Sequence, residues 1–451
     1  MKRATWKSKI GFIFAAAGSA IGLANIWRFP YIVGRYGGAA FICIYLVCLL
    51  LIGFPVFISE VLIGRETKKN PAGAFKKLGK DSFWTGSGLF TIITGFIISS
   101  LYSVVAGWVL GYLFSALFGH LHHFSSLSAV EETFHTFVGN PFWGLGFHLF
   151  FMLLCFGLLF LGVREGLEKG SKVMVPFLIL ILIALAIVGV SMPGAKAGLT
   201  FYFKPDWKLI TPTAFLIALG HSFFTLSLGQ GTMVTYGSYL SSKDNIPKSC
   251  LPIALIDTSI ALLAGMAIFP IVFSQGLSPT EGPALIFYTL PLVFSQLKAG
   301  YILALLFFLL LTLAAITSEI SALEPLISYL IDEKKWRRKK TVGVVCFGAF
   351  LLGVPMALSN FIAHKFSIFG QNLFDLVSFF ALDVMVPIGG FLALIFLAWR
   401  WGFKPAYEKL KEGSGALFQK NLLVRAYFKF TLKYCAPILM IFIFLKAINV
   451  L

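Results

Sequence analysis

Eleven apolar stretches alternate with short polar segments along the chain, near residues 10–34, 39–63, 83–118, 142–163, 172–192, 210–240, 251–274, 298–331, 341–360, 372–399 and 432–451. Each is long enough for the roughly 20 apolar residues that a helix needs to cross a bilayer. They are continuous runs rather than period-two alternations, so they predict membrane-spanning helices and not barrel strands. The first and sixth depart from the pattern in the same way. The first contains Ala17-Gly-Ser-Ala-Ile-Gly-Leu-Ala-Asn25, and the sixth contains Thr225-Leu-Ser-Leu-Gly-Gln-Gly231. Both put glycine and small polar residues at the depth of the membrane midplane. Interrupted backbone at that depth is tolerated only where it lines a cavity or binds something. Each interrupted span opens a candidate five-span half, and matched interruptions in two halves point to a transport site.

Composition agrees: of 451 residues, 58% are hydrophobic and only 12% charged, far from the balance of a soluble domain. The net charge of +18 does not form a nucleic-acid face, because the charges sit in short loops. Of the 37 Lys and Arg residues, 29 fall on one side if the first loop is cytoplasmic, seven on the other, and Arg28 lies within span 1. The positive-inside rule therefore sets the N-terminus in the cytoplasm and, after eleven spans, the C-terminus outside. No cleavable leader is expected after the basic Met1–Lys9 segment. The six cysteines (Cys43, Cys48, Cys155, Cys250, Cys346 and Cys435) have no metal-ligand spacing and read as small buried hydrophobes. His120, His122 and His123 read as part of a solvated loop.

Charged residues within the apolar spans are few: Arg28, Asp257, Glu319, Glu324, Asp375 and Asp383. Such residues are costly in a membrane and usually functional. Span 8 also carries Ala314-Ala-Ile-Thr-Ser-Glu319, hydroxyls and carbonyls at a density that suits a hard monovalent cation. Neither a nucleophile–base pair nor a catalytic metal motif such as HExxH is present, so an enzyme is not expected.

Three motifs, Gly18-Ser-Ala-Ile-Gly-Leu-Ala-Asn-Ile-Trp-Arg-Phe-Pro30, Phe223-Phe-Thr-Leu-Ser-Leu-Gly229 and Ala314-Ala-Ile-Thr-Ser318, fall in order on spans 1, 6 and 8. In them the chain resembles the neurotransmitter:sodium symporters, especially the short eleven-helix bacterial amino-acid transporters, from Arg3 to about Trp401. The resemblance implies an all-α membrane protein with the LeuT fold: one transporter domain over 1–451, two inverted five-helix repeats (about 10–192 and 210–399), broken helices 1 and 6, and an extra helix at about 432–451. It implies sodium-coupled amino-acid import by alternating access, at the inner (plasma) membrane of a bacterium.

Carried over by position, the resemblance implies two sodium ions. One would meet the carbonyls of Gly18, Ile21 and Ala314 and the hydroxyls of Thr317 and Ser318. The other would meet the Ala20 carbonyl, Asn25, Thr225, Asp257 and the substrate carboxylate. That carboxylate would also meet the Leu23 and Ala24 amides and the Tyr102 hydroxyl; the amine would face Ala20, Phe224, Thr225 and Ser227. Ile98, Phe224, Gln230, Ser318, Glu319 and Ala322 would surround the side chain, with Phe224 as an aromatic lid. Arg28 would be the external gate, and Arg3 with Asp332, beside Trp6 and Tyr239, the cytoplasmic one. Gly166 and Pro176 would bound a segment of span 5 that unwinds to let water reach the inner sodium.

The sequence departs from the family pattern in four places. Asp257 replaces an asparagine, which supplies a negative charge internally and predicts chloride independence. Ser378 stands at the family's gate aspartate, so either Asp375, three residues earlier, is the partner of Arg28 or the gate is weaker. Glu319 replaces a small residue, and Ala24 a glycine. Apolar walls favour neutral hydrophobic or aromatic amino acids; polar or cationic substrates, or proton coupling, through Glu319 are the alternative, and a sensor without turnover the other class. The sequence leaves the oligomeric state open.

Overall fold

The computed structural model describes residues 4–121, 124, 126–274, 276, 285–359, 372–414, 419 and 421–447, with the side chains of 446 and 447 left aside. The described residues form helices and no β-strand, with a single isolated bridge between Gly38 and Pro205.

Nine continuous helices among the described residues are long and apolar enough to cross a membrane: Ala39–Thr67, Ser82–Leu117, Pro141–Phe160, Val163–Val190, Ile246–Ser274, Gly300–Lys334, Arg338–Ala357, Leu373–Lys411 and Leu422–Leu445. They are spans 2 to 5 and 7 to 11. Span 1 is a pair, Lys9–Ala20 and Ala24–Arg35, bent by 53°. Span 6 is also a pair, Pro212–Thr225 and Thr232–Ser238, with six non-helical residues between. Helices therefore occupy all eleven predicted runs, and among the described residues nine of them, or ten with the bent pair of span 1, are long and apolar enough to cross a membrane. Spans 10 and 11 extend about ten residues further into the segment between them than the apolar pattern indicates. The extensions are amphipathic helices, Phe403–Lys411 and Leu422–Phe430, that a search for continuous apolar runs passes over.

Local chemistry sets several helix starts. Ser8, Asn70, Asp81, Asn140 and Thr211 each accept a hydrogen bond from a backbone N–H of the first turn, satisfying donors that the helix cannot. Pro71, Pro141 and Pro212 follow three of these caps, where the missing N–H costs nothing.

The two breaks have different causes. In span 1 the backbone turns extended at Ile21. In span 6 three residues enter the left-handed region, Ser227 (φ 54°), Gly229 (φ 75°) and Gly231 (φ 78°). Glycine is required at 229 on two counts, since a Cβ there would also lie 2.4 Å from the Val386 carbonyl oxygen of span 10. The freed Gly229 N–H donates to Glu60 of span 2 at 2.8 Å, a carboxyl buried in the protein interior. The first half of span 1 packs against spans 5, 7 and 8, and span 8 packs along span 3. Both breaks therefore lie inside a cage of continuous helices.

Cys48, Cys155, Cys250 and Cys346 are buried and unpaired, as expected of small hydrophobes; Cys43 is exposed and Cys435 half-buried.

Candidate functional site

The bend of span 1 turns its last carbonyls toward span 8. The Ser318 hydroxyl lies 3.4 Å from the Gly18 carbonyl oxygen and 3.2 Å from those of Ser19 and Ile21. The neighbouring Thr317 hydroxyl donates to the Ala314 carbonyl at 3.0 Å. A Cβ on Gly18 would approach Thr317 to 3.1 Å, so the helices are as close here as glycine permits. Gly18, Ile21, Ala314, Thr317 and Ser318 thus bring carbonyl and hydroxyl oxygens, all neutral, into one small volume. Such a set suits a hard monovalent cation.

A second polar cluster lies at the junction of spans 1, 6 and 7. Asn25 Nδ2 donates to Asp257 Oδ1 at 2.7 Å and to Thr225 Oγ1 at 3.2 Å. Thr225 Oγ1 in turn donates to the Asp257 carboxyl, at 2.9 and 3.0 Å. Asn25 Oδ1 accepts the Gly22 N–H at 3.2 Å. All three side chains are fully buried. The donor set of one carboxyl, one amide oxygen and one hydroxyl also fits a sodium ion, and Asp257 would neutralise its charge.

Between the clusters lies a cavity of about 50 Å³. Ala20, Leu23 and Ala24 of span 1 line it, together with Ile98 and Tyr102 of span 3. Phe224, Ser227 and Gln230 close it from span 6, and Ser318, Glu319 and Ala322 from span 8. These are the residues expected around a substrate, apart from Thr225, which turns into the Asn25–Asp257 cluster. Ser19 and Gly22 also line the cavity and were not anticipated. Their signal was in the span 1 motif, where any residue of an unwound turn exposes its main chain. The Leu23 N–H points at the Tyr102 hydroxyl, 3.2 Å away, and Ser227 Oγ donates to the Ser19 carbonyl at 3.0 Å.

Glu319 reaches across to span 3, where Ser99 Oγ donates to its Oε1. Its Oε2 is buried with no hydrogen-bond partner among the described residues. The residue therefore lines the cavity and also pairs with a neighbouring helix.

A wider cavity, about 290 Å³, lies beyond the first, and the two share Leu23, Ala24, Ile98, Tyr102 and Phe224 as walls. Arg28 lines it and stacks over the Phe224 ring at 5.6 Å. The acidic residue that lines this cavity with Arg28 is Asp383, whose charge acts on the guanidinium. The expected pairing with Asp375 is corrected: Asp375 is exposed in the first turn of its helix. Asp383 lies eight residues on, about two helical turns, so the register that brings it inward was not visible in a three-residue offset.

At the opposite, lysine- and arginine-rich end, Trp6 packs against the second half of span 6. Its indole donates to the Tyr236 carbonyl at 3.0 Å, and its ring meets Tyr236 and Tyr239 edge-on at 5.1 and 5.7 Å. The Tyr239 hydroxyl donates to Glu324 at 2.7 Å, and Arg338 grips the same carboxylate at 2.8 and 2.9 Å. Asp332 accepts two hydrogen bonds from Asn70, each 3.1 Å; its expected partner Arg3 lies outside the described residues, as do His122 and His123. Glu168, which the sequence reading did not single out, fastens the start of span 1. Its oxygens accept from the Lys7 N–H at 2.6 Å and the Ser8 hydroxyl at 3.0 Å, and Lys172 pairs with it at 2.7 Å. Gly166, two residues earlier, sits so close to the Leu158 carbonyl that a Cβ would lie 1.8 Å from it. Pro176 lies inside the following helix, and the segment between them is helical.

The profile of the sodium:neurotransmitter symporter family matches residues 3–136 and 121–451. The chain belongs to that family. This family member is 37% identical over 455 residues to an uncharacterized sodium-dependent transporter, YhdH, of Bacillus subtilis, covering 100% of this chain and 99% of that one. A human sodium- and chloride-dependent taurine transporter is 25% identical, over 92% of this chain and 74% of that one. Among solved structures, MhsT in complex with L-phenylalanine matches with a TM-score of 0.89 and 38% identity, covering 99% of this chain and all of that one. The symporter is thus a multi-pass sodium-dependent transporter with the LeuT fold, not an enzyme.

Proposed function

We propose that this symporter imports an amino acid with sodium by alternating access, using the cavity between the two broken spans. The observation that carries the reading is the meeting of Ser318 with the freed carbonyls of Gly18 and Ile21, beside the Leu23 amide and the Tyr102 hydroxyl. The first group is a cation cage. The second offers donors for a carboxylate, which the N-terminal end of a half-helix favours electrostatically. Binding both in one place makes each ligand's affinity depend on the other, which is what coupling requires.

Two sodium ions are assigned: one among Gly18, Ile21, Ala314, Thr317 and Ser318, the other among Ala20, Asn25, Thr225, Asp257 and the substrate carboxylate. Asp257 supplies the negative charge beside the second ion, so chloride is not required. Ile98, Phe224 and Ala322 leave an apolar space for the substrate side chain. A relative of matching length holds L-phenylalanine, and both points favour a neutral hydrophobic or aromatic amino acid. The free oxygen of Glu319 supports a second reading, a side chain with a hydrogen-bond donor or cationic tip.

The positive-inside count supports a cytoplasmic Trp6 end, and the similarity to a Bacillus subtilis transporter supports a bacterial plasma membrane. Arg28 with Asp383 then forms the external gate, and Trp6, Tyr239 and Asp332 the internal one. The repeats, about 10–192 and 210–399, each begin with a broken span, and the last helix lies outside them.

Uptake of labelled amino acids into proteoliposomes, under an inward sodium or potassium gradient, tests the proposal. Sodium-driven accumulation of one side-chain class is the expected result. Accumulation driven only by protons would displace the sodium assignment, and binding without accumulation or counterflow would make the protein a sensor.

A further inference from the structure

We propose that the cleft between the end of span 10 and the start of span 11 is a binding site for the headgroup of an anionic phospholipid. The cleft encloses about 670 Å³ and is lined by Trp399, Lys404, Arg425, Lys429 and Lys433, among others. It lies on the lysine- and arginine-rich end, because Arg400 beside it pairs with Asp81 at 2.9 Å, next to the basic loop after span 2.

The charge balance of this region is the main argument. Residues 400–433 hold eight Lys or Arg and only two acids, Glu408 and Glu412. Both acids are already engaged by lysines outside the cleft: Lys411 pairs with Glu408 at 2.9 Å and Lys409 with Glu412 at 2.6 Å. Lys404, Arg425, Lys429 and Lys433 have no ion pair among the described residues. Residues 415–420, which complete the connection, contain no acid. Arg425, Lys429 and Lys433 recur every four residues, where like charges on one helix face repel one another. A bound anion reverses the sign of that term.

The surroundings select a lipid over a free anion. Leu422 (78% exposed), Leu423 (79%) and Phe430 (63%) lie open on the helix that carries Arg425 and Lys429. Trp399, Tyr434 and Ile438 continue the exposed apolar surface toward the membrane span. An amphipathic helix of this kind lies in the headgroup region, with its apolar side in the acyl boundary and its cations at phosphate depth. The opposite wall is held firm. Arg65, wholly buried, donates to the Lys409 and Glu412 carbonyls at 2.5 and 3.2 Å and so pins the helix Phe403–Lys411 to span 2. The ligand that satisfies both surfaces has a phosphodiester and acyl chains.

Tryptophan quenching of the purified full-length protein by brominated lipids tests this, with Trp399 isolated as the difference between wild type and Trp399→Phe. The expected result is quenching by brominated phosphatidylglycerol at a concentration at least about tenfold lower than by brominated phosphatidylcholine. The preference should vanish in a K404Q/R425Q/K429Q/K433Q variant and survive in R425K. It should also shrink in the wild type as salt rises from about 0.05 to 0.5 M, a readout independent of whether the quadruple variant folds. Equal quenching by the two lipids, or a preference that persists in a folded quadruple variant, overturns the site. Displacement of phosphatidylglycerol by an equal concentration of inorganic phosphate assigns the cleft to a free anion and overturns the lipid assignment.

Discussion

The Ser318 hydroxyl lies 3.2 Å from the Ile21 carbonyl oxygen, although the two residues are 297 positions apart in the chain. The contact exists because span 1 stops being helical just where span 8 presents its hydroxyls. An unbroken helix would have committed that carbonyl to its own ladder.

Ser318→Ala and Thr317→Ala each remove one oxygen from the proposed cage. A hydrogen bond or ligand contact to a charged partner is worth about 1.5–3 kcal/mol, so half-saturating sodium should rise about 10- to 100-fold. Sodium titration of uptake measures this. An unchanged sodium dependence in both variants would remove the ion from this site.

Asp257→Asn keeps the shape of the second cluster but not its charge. Uptake should fall in chloride-free medium and recover with added chloride, while the wild type is indifferent to the anion. Transport assays in gluconate and chloride buffers decide it. Chloride-stimulated uptake by the wild type would sink the internal-charge argument.

Trp6→Ala deletes one side-chain hydrogen bond and three aromatic contacts, to Phe12, Tyr236 and Tyr239. A net hydrogen bond is worth about 1 kcal/mol and each aromatic pair about 0.5–1.5 kcal/mol. The population open at the Trp6 end should therefore rise at least about tenfold. Accessibility of a cysteine introduced at Ser321, read by a membrane-impermeant thiol reagent on a background lacking the six native cysteines, reports it.

Asp375 and Asp383 of span 10 should separate cleanly. Asp383→Asn removes the charge that faces Arg28 and should lower uptake several-fold. Exposed Asp375→Asn should leave it unchanged, with a stability effect within about 0.5 kcal/mol. The opposite ranking would restore Asp375 as the gate residue.

Glu319→Gln preserves the shape and one acceptor of the carboxyl. With a purely apolar substrate, uptake should keep its side-chain preference. With a donor-bearing side chain, affinity for that substrate should drop about 10- to 100-fold, because the lost contact involves a charged group. A competition panel of phenylalanine, tyrosine, tryptophan and lysine discriminates between the two readings.

Much of the site was legible because its signals are local. Glycines at 18, 22, 229 and 231 and the Thr317-Ser318 pair stand out against apolar sequence, and the family motifs fix their order. What was hidden depends on register between distant elements. Asp383 faces Arg28 rather than Asp375 because of how span 10 is rotated, which no spacing within span 10 reveals. Glu168 sits in the first turns of span 5, where a carboxylate looks like ordinary surface until Lys7 and Ser8 are seen to dock on it. The helix Leu422–Phe430 was missed as part of span 11 because its basic face interrupts the apolar run.

Glu168 has one further implication. The same carboxylate belongs to the first turns of span 5 and clasps the chain just before span 1. Fraying of those turns would pull the clasp away, and departure of residues 6–8 would leave the carboxylate without two of its donors. Opening of the first turns of span 5 and departure of residues 6–8 should therefore be coupled, and an amide-exchange experiment should find the two segments opening together.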